Sequence, residues 1–181
     1  SDTWAYKYED YPSSEKFSHN NGNVETELYD EGIYVGYRYF DTFEVPVRYG
    51  FGYGLSYTDF EITGCALKAV SAEKIRVTAT VRNTGNVSGK EVVQVYASLP
   101  GGILEKEAHR LAAYAKTNEL KPGEAQEVTM EVKMDGLTSY DEKRAAWILE
   151  SGFYGIWVGN SLASAKLCGG IKLDQEVIRR Q

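Results

Sequence analysis

From Phe60 onward the chain is written in short alternating or β-branched runs, separated by turn residues at fairly even spacing. Ile75-Arg76-Val77-Thr78-Ala79-Thr80-Val81-Arg82 alternates cleanly and stops at Asn83-Thr84-Gly85-Asn86, residues whose side chains and conformational freedom favour a turn. Glu91-Val92-Val93-Gln94-Val95-Tyr96-Ala97 follows and ends before Pro100-Gly101-Gly102. A period of two places alternate side chains on one face, so such runs predict paired strands. A second pair is formed by Ala125 to Lys133, introduced by Lys121-Pro122-Gly123-Glu124, and by Gly152 to Gly159. Runs at Phe60 to Val70 and Leu162 to Leu173 supply outer strands. His109 to Lys116 is too short to hold as a helix and meets Leu120-Lys121-Pro122-Gly123 soon after, so it is read as a strand. About seven strands in roughly 115 residues, with no long helix, predict an all-β antiparallel sandwich of the immunoglobulin or fibronectin type III kind.

The first third of the chain is built differently. Of 23 aromatic residues, 16 fall within residues 1–60. Aliphatic residues are sparse there, so the segment cannot make its own core and is expected to lie against something else as an extended arm. Tyr34, Val35, Tyr37 and Tyr39 suit extended backbone, and Gly32, Gly36, Gly50, Gly52 and Gly54 punctuate it as turns. The expected division is an arm over 1–58, the sandwich over 59–175 and a tail over 176–181.

Charge and composition exclude several functions. Twenty Lys and Arg stand against 26 Asp and Glu, a net charge of −6 without a basic cluster, so neither nucleic acid nor an anionic membrane is an expected partner. No apolar run of about 18 residues is present to span a bilayer. The N-terminal residues SDTWAYKYEDYP lack the order of a signal peptide; the compartment is left open, with the cytoplasm ranked ahead of secretion. Two His and two Cys without zinc spacing support no metal and no cofactor. Cys65 and Cys168 either bond across neighbouring strands or serve as two small buried hydrophobes, the second reading being preferred.

No complete active site is legible. Asp2 beside Trp4 sits at a chain end without support, and Gly50-Phe51-Gly52-Tyr53-Gly54 lacks the helix that would aim amides at a phosphate. Glu31 and Asp41 are the candidate carboxylate pair for glycoside hydrolysis, but Glu31 and Asp30 satisfying nearby backbone or Arg38 is the simpler account. Aromatic rings that stack on sugars are the remaining option, and Tyr34, Tyr37, Tyr39, Trp147 and Trp157 are the candidates for holding an oligosaccharide. Burial competes with that role, because Trp147 precedes Ile148-Leu149 and Trp157 alternates with Ile156 and Val158.

Tyr29 to Asp41, followed by Tyr49-Gly50-Phe51-Gly52-Tyr53-Gly54-Leu55-Ser56-Tyr57-Thr58, resembles the C-terminal region of family 3 glycoside hydrolases, where the chain leaves the α/β-sandwich domain and enters a fibronectin type III-like module. Val81 to Tyr96, Leu120-Lys121-Pro122-Gly123-Glu124 and Gly152 to Ser161 are similar to later strands and turns of that module, in the same order. The resemblance covers about residues 25 to 173. It implies a retaining β-glucosidase-like parent whose catalytic Asp and Glu lie on other domains, outside this chain, and a non-catalytic role here, bracing those catalytic domains. Val47-Arg48-Tyr49-Gly50-Phe51-Gly52 and His109-Arg110-Leu111 depart from the common Phe-Pro-Phe-Gly-Tyr-Gly and Lys-Glu-Leu patterns, which bears on subfamily and substrate.

Overall fold

The computed structural model describes residues 4–11, 14–16 and 31–179. Asp2, the polar run 18–23 and Tyr29-Asp30 lie outside the described residues. Two antiparallel sheets face each other. One has the order β3 (Phe60–Ser71), β4 (Lys74–Asn83), β7 (Ala125–Lys133); the other runs β11 (Lys166–Leu173), β10 (Gly152–Gly159), β5 (Val92–Ser98), β6 (Arg110–Lys116). Two satellite sheets accompany them: β1 (Trp4–Ala5) with β2 (Val47–Tyr49), and β12 (Val177–Arg179) with β9 (Ala146–Leu149) and β8 (Ser139–Asp141). The expectation of about seven strands describes the two facing sheets, while twelve strands lie among the described residues.

Alternation explains the core. In β4, Ile75, Val77, Ala79 and Val81 are buried while their neighbours are not, and the first three pair across the ladder with Val132, Met130 and Val128 of β7. Val93, Val95 and Ala97 of β5 and Tyr154, Ile156 and Val158 of β10 close the core from the opposite sheet. Each Val, Ile or Met side chain among them contributes about 1.5–3 kcal/mol by leaving water. The turn after β4 is organised by a fully buried polar residue. Asn83 Oδ1 accepts from Thr58 Oγ1 (2.8 Å) and the Gly85 amide (3.0 Å), and its Nδ2 donates to the carbonyls of Val87 and Leu120, both at 2.8 Å. All its side-chain polar atoms are therefore satisfied, as burial requires.

Three expectations need correction. Tyr37 and Tyr39 are not extended: α1 (Tyr37–Thr42) is a short helix whose preceding residue, Gly36, has φ +61°, a conformation that glycine adopts without strain. The helix wins because tertiary partners reward it, as described below. Residues 176–181 include β12, which pairs antiparallel with β9 and so is an edge strand. Cys65 and Cys168 are joined in a disulfide between β3 and β11, with Cα atoms 5.8 Å apart, so pairing prevails over two separate hydrophobes.

Candidate functional site

Strand β5 is buried on both faces, which a sandwich alone does not require. Gln94 and Tyr96 point away from the inter-sheet core, and the aromatic segment covers them. Phe51 meets Tyr96 edge-on at 6.4 Å and stacks on Tyr37 at 4.2 Å with 25° between the rings. Burial pushes the Tyr96 hydroxyl pKa well above its ordinary value; that hydroxyl donates to Gln94 Oε1, and Gln94 Nε2 donates to the Asn160 carbonyl at 2.8 Å. The backbone approaches closely here: a Cβ on Gly52, where φ is +80°, would lie 2.5 Å from Gln94 Oε1. The Leu162 amide donates to the Phe51 carbonyl at 3.0 Å and closes the same corner.

Polar contacts fix α1 to the edge of β6 and the residues before it. The Leu111 amide donates to Tyr37 Oη (2.9 Å) and the Ala108 amide to Thr42 Oγ1 (2.9 Å), so side chains satisfy backbone donors that an uncovered edge would present to water or to another strand. Asp41 Oδ2 lies 2.9 Å from His109 Nδ1, and the His109 ring meets Trp157 edge-on at 5.1 Å. Trp157 Nε1 in turn donates to Ser98 Oγ at 3.0 Å. Buried Glu107 receives a fork from Arg110, at 2.8 and 2.9 Å, and Arg38 of α1 lies 3.3 Å away. Burial alone would raise the Glu107 pKa, but hydrogen bonding and charge from Arg110, helped by Arg38, outweigh it and hold the carboxyl below its ordinary range.

These contacts place the candidate rings. Tyr37 lies in the junction and Trp157 joins it through His109. Tyr34 packs edge-on against Phe43 at 4.9 Å, and Tyr39 touches both Phe40 (5.4 Å) and Phe43 (5.1 Å). Trp147 stands apart on β9, 39% exposed, beside Tyr140 of β8, 48% exposed, with centroids 5.2 Å apart. Asp41 engages His109 rather than offering a free carboxylate to a sugar. A cleft of about 360 Å³ remains between α1 and the following loop, lined among others by Tyr37, Phe40, Asp41, Pro46, Phe51 and Leu162. Among the described residues no cluster of three or more His, Cys, Asp or Glu is arranged to hold a metal, and no helix is long and apolar enough to cross a membrane.

Sequence reasoning missed His109, Gln94, Glu107 and Arg110 as junction residues. One signal was present: Glu91 to Ala97 carries apolar or aromatic residues at positions of both phases, as a strand covered on two sides does.

A two-sheet sandwich whose outer face is sealed by a preceding aromatic segment defines a fibronectin type III-like module, and residues 91–162 match the model of the Fibronectin type III-like domain. The chain is 44% identical to Beta-glucosidase A of Butyrivibrio fibrisolvens, over 92% of this chain and 22% of that protein. It is 43% identical to a Beta-glucosidase of Ruminococcus albus, over 99% of this chain and 19% of that protein. The solved structure of beta-glucosidase 3B from Thermotoga neapolitana superposes with a TM-score of 0.90 at 39% identity, covering 99% of this chain and 25% of that one. The chain is therefore similar to the fibronectin type III-like region, with its preceding aromatic segment, of family 3 glycoside hydrolases. It spans about a fifth of the length of the curated relatives it matches.

Proposed function

We propose that this chain is the non-catalytic accessory module of a β-glucosidase-like enzyme, in which the aromatic segment braces the catalytic domains. The carrying observation is the two-sided character of that segment. One side is latched to the sandwich through Tyr37, Asp41, Thr42 and Phe51; the other presents Val35, Phe43, Tyr49, Tyr53, Leu55 and Tyr57 to solvent, Leu55 being 91% exposed. An apolar surface held in place by a rigid scaffold suits a domain contact. The hydrolysis of β-linked glucosides by the retaining route belongs to residues on the other domains of that parent.

Two measurements test this. The repurified 181-residue chain is expected to release no aryl alcohol from an aryl β-glucoside, and sustained turnover would remove the reading. In the full-length parent, combining Tyr53→Ser, Leu55→Ser and Tyr57→Ser is expected to lower the midpoint of thermal inactivation by about 3 °C, and an unchanged midpoint would count equally against a brace.

A second reading, carbohydrate binding, is favoured by one observation: the exposed Trp147 and Tyr140 rings lie on one rung of the β8–β9–β12 sheet, next to Arg179. Localised, saturable NMR shifts at Trp147 on titration with cellobiose are its expected signature; Tyr34, Tyr37, Tyr39 and Trp157 are the other rings to monitor.

A further inference from the structure

Sandwich sheets are closed by their edges, and here the two edge strands β3 and β11 face each other across an open seam. The seam holds a cleft of about 500 Å³ lined by parts of Phe60 to Cys65 and Val158 to Cys168. Both edge strands break their alternation at the cysteines. In β3, Thr63 pairs with Thr80 and Ala66 with Thr78, so Gly64 and Cys65 together oppose Ala79. In β11, Gly169 pairs with Ile156 and Leu167 with Trp157, so Cys168 is an extra residue without a ladder partner. Each is a β-bulge, a device that re-aims a side chain.

The re-aiming is visible in the core. Phe60 and Ile62 face inward before the bulge of β3, whereas Cys65 and Leu67 do so after it; Ile171 and Leu173 face inward in β11, yet Cys168 does as well. Gly64, with φ +62°, supplies the left-handed residue that this bulge requires. Two independent phase shifts on two sheets thus bring two thiols to one point. The disulfide lies half-buried in an open cleft, where an exchange partner can reach it.

We propose that Cys65 and Cys168 form a dedicated thiol–disulfide modification site, closed by a disulfide oxidant and opened by a dithiol reductant, that latches the open seam of the sandwich. On closure one thiolate attacks a sulfur of the oxidant's disulfide, forming a mixed disulfide and releasing one oxidant thiolate. The second cysteine thiolate then displaces the remaining oxidant sulfur. The Cys65–Cys168 bond forms, both cysteine protons pass to solvent or to the released thiolates, and the two electrons leave on the oxidant's two sulfurs as thiols. Opening is the reverse. Cys65 and Cys168 pack against the buried cluster from its margin and are not among its fully buried members, so reduction releases the edges of β3 and β11 while β4 and β7 stay paired.

The test is hydrogen exchange of the 181-residue chain with glutathione disulfide or with dithiothreitol as the redox reagent. Alkylation and peptide mapping are expected to find no free thiol and one Cys65–Cys168 crosslinked peptide after oxidation, and two alkylated cysteines after reduction. Amides of 61–69 and 166–172 are expected to exchange at least tenfold faster in the reduced chain, with those of 126–132, whose ladder is with β4 alone, unchanged, and protection is expected to return on reoxidation. The double variant Cys65→Ser, Cys168→Ser is expected to exchange like the reduced chain in either reagent. Two free thiols after oxidation would overturn the site. Equal seam exchange with and without the bond would overturn the latch.

Discussion

Asn83 carries more of the turn chemistry than any apolar neighbour. It replaces water for a buried hydroxyl, a half-buried amide and two carbonyls at once. Asn83→Ala strips the Thr58 hydroxyl and the Val87 carbonyl of this partner, while the Gly85 amide keeps the Asp59 carbonyl and the Leu120 carbonyl keeps the Gly89 amide, and an uncompensated buried polar group costs about 1–3 kcal/mol. The expected loss is about 3 kcal/mol, read from the midpoint of urea unfolding with an unchanged slope. Glu107 is the second residue whose role is electrostatic. Its folded pKa lies below its unfolded value, so the stability it contributes is complete above the ordinary carboxyl range, near pH 4.5, and is lost as the pH falls below that. Glu107→Gln is expected to lower stability at pH 7 by about 3 kcal/mol, since it leaves the Arg110 and Arg38 charges without a counter-ion, and to flatten the acid limb of a stability-against-pH curve. An unaltered acid limb would show that the Arg110–Glu107 pair does not govern acid sensitivity.

At the level of elements, the short helix α1 is instructive, because six residues cannot hold a helix by propensity. It persists through Tyr37 on Phe51, Thr42 on the Ala108 amide and Asp41 on His109. Phe51→Ala removes the stack and uncovers Tyr96. For a half-buried ring the expected cost is about 2 kcal/mol, below that of a fully buried one, with faster amide exchange at Leu111 as the local signature. Unchanged exchange there would mean that Tyr37 keeps its place without the stack. The turn joining β8 to β9 offers the opposite case. Ala145 has φ +45°, a conformation that opposes its Cβ, so Ala145→Gly is expected to raise stability by about 0.5–1 kcal/mol in a thermal melt.

At the scale of the whole molecule, the described part of the aromatic segment presents an apolar surface that the fold leaves uncovered. Tyr53, Leu55 and Tyr57 project from a segment whose other side is fixed, so the isolated chain is expected to self-associate in sedimentation at micromolar concentration. Serine at those three positions is expected to restore the monomer without lowering the melting temperature; deleting the segment instead would expose Gln94, Tyr96 and the β6 edge. The strands of the two facing sheets were legible from residue chemistry alone, because alternation in Ile75 to Val81 and turn residues at Asn83 to Asn86 act over a few positions. Even Arg110 to Lys116 follows, since its end is written locally in Pro122-Gly123. The junction was legible only as a composition, an excess of aromatic rings that needed a partner. Which rings met which strand depended on contacts between residues dozens of positions apart, such as Asp41 with His109 and Phe51 with Tyr96. The cysteine pairing was of the same kind, decided by one-residue shifts of phase in two edge strands. By itself, then, the sequence determined the two-sheet core, because period and turn chemistry are local. Only the tertiary structure decided the latch of the aromatic segment and the disulfide at the seam, because each needs two distant segments brought within a bond length or a hydrogen bond.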